Sequence, residues 1–322
     1  MTPYFLLVLG LLIPLLAYPQ SSSEGLSLAL FGDSLSTSFH LDSKWKVLVQ
    51  SRSSGLKDQN WYLDTDPSAQ SIFSLTEQVS QLLGQPVVST NLSTVGAFVP
   101  NLDIQPGMKE SILGSSSLVE QVGSVLKMRK LPSLILSWVG HNNLDYRNWQ
   151  GVTAANRRAL FEAHAQKFAK EYVQDLESLF VRAAREKERL AILVLGLVNF
   201  ESFFEARSRI EKERVPGTYP FLEESMKVFQ SMAVESRAGM VELATLLNQE
   251  LRMAIQNRAK TLPENILLIY SDALAEVDLH LKETLSYEDA WHPSALGHGI
   301  FANAVFRSNE FQSGVLPFLQ RK

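Results

Sequence analysis

The side chains best suited to chemistry are a serine near the start of the chain and a histidine near its end. Ser34 follows an apolar run that stops at Gly32-Asp33. A run of this length is typical of a buried strand, and glycine ends it. Ser34 is therefore predicted just past a strand, where main-chain N–H groups can face a reacting carbonyl. His292, three residues after Asp289, provides a base together with a carboxylate to orient it.

Together these side chains have the components of an acyl-transfer triad. Ser34 would attack a carbonyl, His292 would take its proton, and Asp289 would fix the tautomer of the imidazole. Three donors are candidates for the oxyanion hole: the Ser34 N–H, the Gly96 N–H and the Asn142 side-chain amide. Each residue also has an ordinary structural interpretation, with Ser34 and Asp289 as helix caps and Gly96 as a turn residue.

The elements that must position these groups alternate between strand and helix. Apolar runs predict strands over 26–31, 87–91, 134–139, 190–198 and 266–270. Amphipathic spacing predicts helices over 71–83, 115–130, 156–187, 223–260 (with a break near Gly239) and 294–309. This alternation predicts one α/β domain, a five-stranded parallel sheet between two helical layers. In such a sheet the ligand site lies beyond the carboxyl ends of the strands, where Ser34, Gly96 and Asn142 all fall.

Four short motifs, in order along the chain, resemble the conserved blocks of the GDSL, or SGNH, hydrolases. They are Gly32-Asp33-Ser34-Leu35-Ser36, Asn91-Leu92-Ser93-Thr94-Val95-Gly96, Gly140-His141-Asn142-Asn143 and Asp289-Ala290-Trp291-His292-Pro293. The resemblance implies a flavodoxin-like three-layer sandwich that hydrolyses carboxylic esters with a serine nucleophile, with no metal and no organic cofactor. It also implies the Gly96 and Asn142 oxyanion roles. Asn143 stands where the family usually has Asp. The Gly-x-Ser-x-Gly motif is missing, which argues against an α/β-hydrolase fold.

Weaker substrate-binding candidates flank these motifs. Phe200 and Phe203, with Phe204, could line an acyl pocket, since ligand sites are mostly apolar, or could belong to the core. His141 adjoins the proposed oxyanion hole and could touch substrate, although packing is the alternative.

Other polar residues suggest no further site. His40, His164 and His280 fall into no metal-ligand spacing, so no metal is expected. The charged run Arg207–Arg214 is interpreted as a solvated helix face.

Charge, cysteine content and the apolar N-terminal run limit which partners and which cellular location the sequence indicates. The net charge is −4, from 30 basic and 34 acidic residues. This balance does not indicate a basic surface of the kind that binds nucleic acid. The chain has no cysteine, which excludes disulfides and thiolate metal sites. Residues 4–18 are almost wholly apolar, a run shorter than the roughly 20 residues that span a bilayer. We expect residues 1–20 to be a signal peptide for export, with a membrane anchor as the alternative, although no Lys or Arg precedes Lys44.

The remaining residues, 21–322, are predicted to form a single hydrolase domain. A long irregular insertion at about 36–70 would be a wall or lid beside Ser34, or a surface decoration.

The favoured function is an exported esterase or lipase acting on a small-molecule or lipid ester. Aromatic loops favour a fatty acyl ester, and transient contact with a membrane surface is left open. Carbohydrate O-deacetylation and acyl transfer are alternatives within the same chemistry. A non-catalytic binding protein that kept the fold is the alternative of another class. The sequence leaves the oligomeric state open.

Overall fold

The computed structural model describes residues 25–36, 38–41, 47–50, 74–94, 97–99, 117–144, 153, 155–213, 215, 217, 234–286 and 290–321. The predicted leader and much of the 36–70 insertion lie outside these residues. The sequence predicts an irregular insertion. Its described part is instead partly regular, because β2 (Ser38–Leu41) and β3 (Val47–Gln50) pair as an antiparallel hairpin.

The predicted parallel sheet is confirmed. Its strands are β1 (Leu26–Gly32), β4 (Val87–Asn91), β5 (Leu134–Trp138), β6 (Leu190–Leu195) and β7 (Ile266–Ser271). They lie in the order β4-β1-β5-β6-β7, and every pairing is parallel. This is the flavodoxin-like order, in which the chain reverses direction across the sheet beside β1. β5 and β6 are buried along their whole length, as expected for strands covered on both faces.

Helices cover both faces of the sheet. They are α1 (Leu75–Leu83), α2 (Leu118–Leu126), α3 (Arg157–Glu186), α4 (Phe200–Glu213), α5 (Val234–Ala259), α6 (Ala295–Arg307) and α7 (Leu316–Gln320). α3 packs against both α2 and α5, whereas α1 packs against α6. These contacts define the two outer layers of a three-layer sandwich, as predicted.

Local sequence explains most of the helix boundaries. Ser74 begins α1 with a capping box, in which its N–H donates to the Glu77 carboxylate at 2.8 Å. The N–H of Ser117 donates to Glu120 in the same way at 2.7 Å, so α2 starts later than the predicted residue 115. α5 continues through Gly239 without the predicted break.

The C-terminal segment was not predicted. A π-helical stretch, Glu310–Val315, leads into α7 and buries Phe311, Val315 and Phe318. Among the described residues, no helix combines the length and apolarity that crossing a membrane would require.

One polar group on α3 is buried at a cost. Asp175 is 8% exposed, and its Oδ2 has no hydrogen-bond partner among the described residues. Burial, and then the charge of Glu171 one turn earlier, raises the pKa of Asp175 from 3.8 to about 7. The folded protein therefore holds this proton at pH values where the unfolded chain has released it.

We expect Asp175→Asn to stabilise the protein in a pH-dependent way. Because the raised pKa favours the unfolded chain as the pH rises from about 4 to 7, the wild type loses stability across that window. The variant should be more stable by about 2–4 kcal/mol at pH 8, and little different below pH 4. Urea unfolding at several pH values measures this. The exposed Glu264→Gln is the control, and an equal effect of both variants would contradict the assignment.

Candidate active site

The segment that carries Ser34 is a tight turn at the end of the central strand β1. Residues Ser34–Ser36 form one turn of 3₁₀ helix, and the Ser36 N–H donates to the Asp33 carbonyl at 3.1 Å. The turn folds back closely: a Cβ on Gly32 would lie 2.5 Å from the Ser36 Cβ. Glycine is therefore required at the strand end, and Ser34, 9% exposed, lies just beyond it.

A buried carboxamide holds this strand end. The N–H of Gly32 donates to Gln121 Oε1, and Gln121 Nε2 donates to the Gly32 carbonyl, both at 2.9 Å. Gln121 is 1% exposed and lies on α2. Because buried main-chain groups must be satisfied, this pair fixes the position of the residue two before Ser34.

The second motif supports the turn from the other side. Asn91 Nδ2 and the Ser93 hydroxyl both donate to the Ser36 carbonyl, at 2.9 and 3.0 Å. Gly96, the predicted oxyanion donor of this motif, lies outside the described residues, and its role stays a prediction.

The first and third motifs meet through a carboxylate and an imidazole. Asp33 Oδ2 lies 2.8 Å from His141 Nδ1, and Asp33 Oδ1 accepts the Leu35 N–H at 3.0 Å. The Val198 N–H lies 3.5 Å from His141 Nε2, so we assign the proton to Nδ1, which donates to Asp33. His141 is 6% exposed and packs edge-on against Trp138. The structure thus places His141 as a link between two loops.

The two asparagines after His141 face the second motif. Asn142 is half-buried and donates one amide hydrogen to the Ala97 carbonyl at 2.8 Å. Its amide carries a second hydrogen, which an oxyanion could accept. Asn143 makes a two-way contact with Val99, accepting the Val99 N–H at 3.1 Å and donating to its carbonyl at 3.3 Å.

His292 lies on a loop that is closed on itself. Leu285 and Pro293 form an antiparallel bridge, and within it the Ser286 N–H donates to the His292 carbonyl at 2.7 Å. His292 is 9% exposed. Asp289 lies outside the described residues, so its orienting role stays a prediction.

An apolar cavity joins the Ser34 turn to the His292 loop. It is lined by Leu35, Val198, Phe200, Phe203, Leu279, Leu285, Trp291, Pro293 and Phe301. Leu35 follows Ser34, and Trp291 and Pro293 flank His292, so the chain segments carrying both groups border one cavity. The Phe203 and Trp291 rings pack edge-on with centroids 4.9 Å apart. Phe200 and Phe203 therefore line this cavity, while remaining almost fully buried.

The prediction of a solvated face over Arg207–Arg214 is wrong at its first residue. Arg207 is fully buried, and its Nε donates to the Glu211 carboxylate at 2.8 Å. Arg207 lies one turn after Phe203 on the apolar side of α4, with Ile210 beyond it. The helical spacing, rather than the charge of the run, contained the signal for this burial.

His164 supports the third motif and does not face a ligand cluster. Burial lowers the pKa of His164 to about 4, and its ring bonds to the main chain of Asn143. It is therefore neutral at pH 7. In the part of the chain that the structure describes, no group of three or more His, Asp or Glu side chains could hold a metal ion.

Comparison with solved structures finds esterases among the similar folds. A carbohydrate acetylesterase family member from Sinorhizobium meliloti is 11% identical, covering 91% of this chain and 98% of its own, with a TM-score of 0.44. A psychrotrophic esterase, EstA, from Pseudoalteromonas sp. is 10% identical over 88% of this chain and 95% of its own, with a TM-score of 0.38.

A third similar structure is AlinE4, an SGNH-hydrolase family esterase. It is 13% identical over 76% of this chain and 86% of its own, with a TM-score of 0.28. No protein-family model matches the chain, and no match was found among curated proteins.

Sequence reasoning missed the residues that hold the motifs in place. Asp33, Gln121 and Arg207 were not singled out, although all three are buried. A signal existed for the last two, because each lies within the apolar stripe of an amphipathic helix. A polar residue in such a stripe must find a buried partner.

We expect Asn143→Asp to destabilise the protein, although Asp is the residue usual in the resembling family. The carboxylate could accept the Val99 N–H but could not donate to the Val99 carbonyl, leaving a buried acceptor opposite a negative charge. The cost should be about 1–3 kcal/mol at pH 7. Thermal or urea unfolding measures it, with the exposed Asn303→Asp as control. Unchanged stability in Asn143→Asp would show that the two-way bond contributes little.

Proposed function

We propose that this protein is a serine hydrolase of carboxylic esters. The Ser34 Oγ forms a bond to the carbonyl carbon while His292 takes the hydroxyl proton. His292 then gives that proton to the leaving alcohol as its C–O bond breaks, and the acyl group stays on Ser34. Water, deprotonated by His292, attacks the acyl carbon, and the proton returns to Ser34 as the acid leaves. Asp289 orients His292, and the Ser34 N–H, Gly96 N–H and Asn142 amide stabilise the oxyanion.

The shared cavity is the observation that carries this proposal. Leu35, Trp291 and Pro293 border the same small apolar space, so the neighbours of the proposed nucleophile and base meet around one cavity. The contact of Asn142 with Ala97 supports the proposed oxyanion hole, because it brings an amide donor to the residue after Gly96.

The acyl part of the ester is proposed to bind against the Phe200 and Phe203 rings. The cavity lining is entirely apolar, which suits an alkyl group and offers no partner for a sugar hydroxyl. A fatty acyl ester is therefore the favoured substrate. The open space is small, so a group longer than a methyl would enter only if the Phe200 and Phe203 rings moved apart. An O-acetyl group, as in a carbohydrate deacetylase, would also fit, with the sugar outside the cavity. Export through the apolar segment 4–18 is part of the same proposal.

Ser34→Ala should abolish turnover. Without Oγ no acyl-enzyme forms, so hydrolysis of a p-nitrophenyl ester should fall by at least roughly 10³-fold, and a fluorophosphonate probe should no longer label the protein. The exposed Ser313→Ala should behave as wild type in both assays. Equal melting temperatures would exclude unfolding as the cause. A wild-type protein that neither reacts with the probe nor hydrolyses any ester would favour the binding-protein alternative.

Phe203→Leu should shift acyl-chain preference. The smaller side chain enlarges the cavity beside Trp291, so kcat/KM for a longer acyl ester relative to acetate should rise, by about 10-fold. Phe311→Leu, at another fully buried phenylalanine outside this cavity, controls for lost stability. If the ratio of kcat/KM values is unchanged in Phe203→Leu, the acyl group does not bind in this cavity. A wild-type rate greatest for acetate and acetylated sugars would favour deacetylation.

A further inference from the structure

The loop that carries His292 contains a residue in an uncommon backbone conformation. Ala290 has φ 52°, in the left-handed region that residues other than glycine rarely adopt. Its N–H donates to the Ser286 carbonyl at 2.9 Å, and its side chain is fully buried. Such a conformation persists only where the surroundings hold it, so the partner of the Ala290 carbonyl acts together with the bonds inside the loop to fix its shape.

That partner is a buried guanidinium. Arg207 Nη1 donates to the Ala290 carbonyl at 3.1 Å, while Nε faces Glu211 Oε1 at 2.8 Å. The Arg207 side chain has no exposed surface, and that of Glu211 is 13% exposed. Arginine is almost never fully buried unless it is paired, because removing its charge from water is costly. The planar guanidinium group has several N–H donors, so the Arg207 side chain can bond to the Glu211 carboxylate and the Ala290 carbonyl at the same time.

Arg207 also ties the loop to the helix that lines the cavity. Phe203 precedes Arg207 by four residues and therefore lies on the same face of α4. Phe203 packs against Trp291, and Arg207 bonds to the adjacent Ala290. One helix face therefore holds two consecutive residues of the loop immediately before His292.

We propose that Arg207 is a positioning residue that sets the main-chain conformation of the His292 loop, and through it the placement of the imidazole relative to Ser34. This inference rests on the proposed function. In this role Arg207 acts through the main chain, by fixing the carbonyl two residues before His292. A base displaced by about 1 Å can lower the rate about 100-fold, which sets the size of the expected effect.

Arg182 provides a matched control. It is also a buried arginine, 9% exposed, paired with a glutamate four residues later and donating to main-chain carbonyls. Those carbonyls belong to Leu126, Met128 and Arg129, which precede β5, whereas the site lies beyond the carboxyl ends of the strands. Loss of Arg182 should therefore weaken the fold without moving His292.

The experiment compares Arg207→Met, Arg207→Lys and Arg182→Met with wild type, using p-nitrophenyl ester hydrolysis below the melting temperature of every variant. We expect Arg207→Met to lower kcat roughly 10- to 100-fold with KM little changed. Arg207→Lys should lose roughly 3- to 10-fold, since one ammonium cannot reproduce the fork. Arg182→Met should keep the wild-type kcat and have a lower melting temperature.

Either of two outcomes would overturn the proposal: a folded Arg207→Met with wild-type kcat, or equal losses of kcat in Arg207→Met and Arg182→Met. Should Arg207→Met not fold, Arg207→Lys decides, because wild-type kcat in that variant contradicts the positioning role. An inactive wild-type protein would instead contradict the proposed function, and this is seen before any arginine variant is assayed.

Discussion

Main-chain groups at the carboxyl ends of the buried strands are out of reach of water, and the structure depends on satisfying them. Three buried or half-buried carboxamides do so, each through a two-way bond to the backbone of one residue. The pairs are Gln121 with Gly32, Asn143 with Val99, and Asn248 with Leu197. A carboxamide donates and accepts within one plane, so it satisfies both the N–H and the carbonyl of one residue where regular strand pairing ends. Each pair holds a loop that borders the candidate site.

The Asp33–His141 contact adds a link between adjacent strands. β1 and β5 are hydrogen-bonded neighbours, and the chain reverses its direction across the sheet beside β1. In sheets of this strand order, the loops that leave the strands on either side of such a point diverge and leave a crevice between them. The buried bond from His141 to Asp33 holds its two walls together. Asp33 also accepts the Leu35 N–H, so the same carboxylate shapes the turn that presents Ser34. The two loops and the turn that carries the proposed nucleophile, Ser34, therefore share one anchor.

Function on this scaffold depends on polar groups whose burial is costly. Arg207 and Asp33 are fully buried charged residues, and Ala290 has a left-handed backbone. None of these features would be chosen for stability alone, since apolar replacements of similar size are often as stable. The proposed positioning of the site accounts for them, because Asp33 precedes Ser34 directly, Ala290 lies two residues before His292, and Arg207 donates to the Ala290 carbonyl. Asp175, by contrast, has a pKa raised by burial, so its ionisation destabilises the fold as the pH rises toward neutrality.

The sequence by itself determined the strands, the helices and the three layers that they form, because apolar periodicity reports which faces are buried. The order of the strands across the sheet came from the tertiary structure. The bounds of β4 and α3 were predicted almost to the residue, since turn and cap residues mark them locally. The sequence could not determine which buried polar groups form hydrogen bonds with each other. The pairing of Arg207 with Ala290 joins residues 83 apart in the chain, and only the tertiary structure decides it. Charge made Arg207 look exposed. Its position on the apolar face of α4 buries it. The Ala290 carbonyl comes within hydrogen-bond distance only when the folded sheet brings α4 and the His292 loop together.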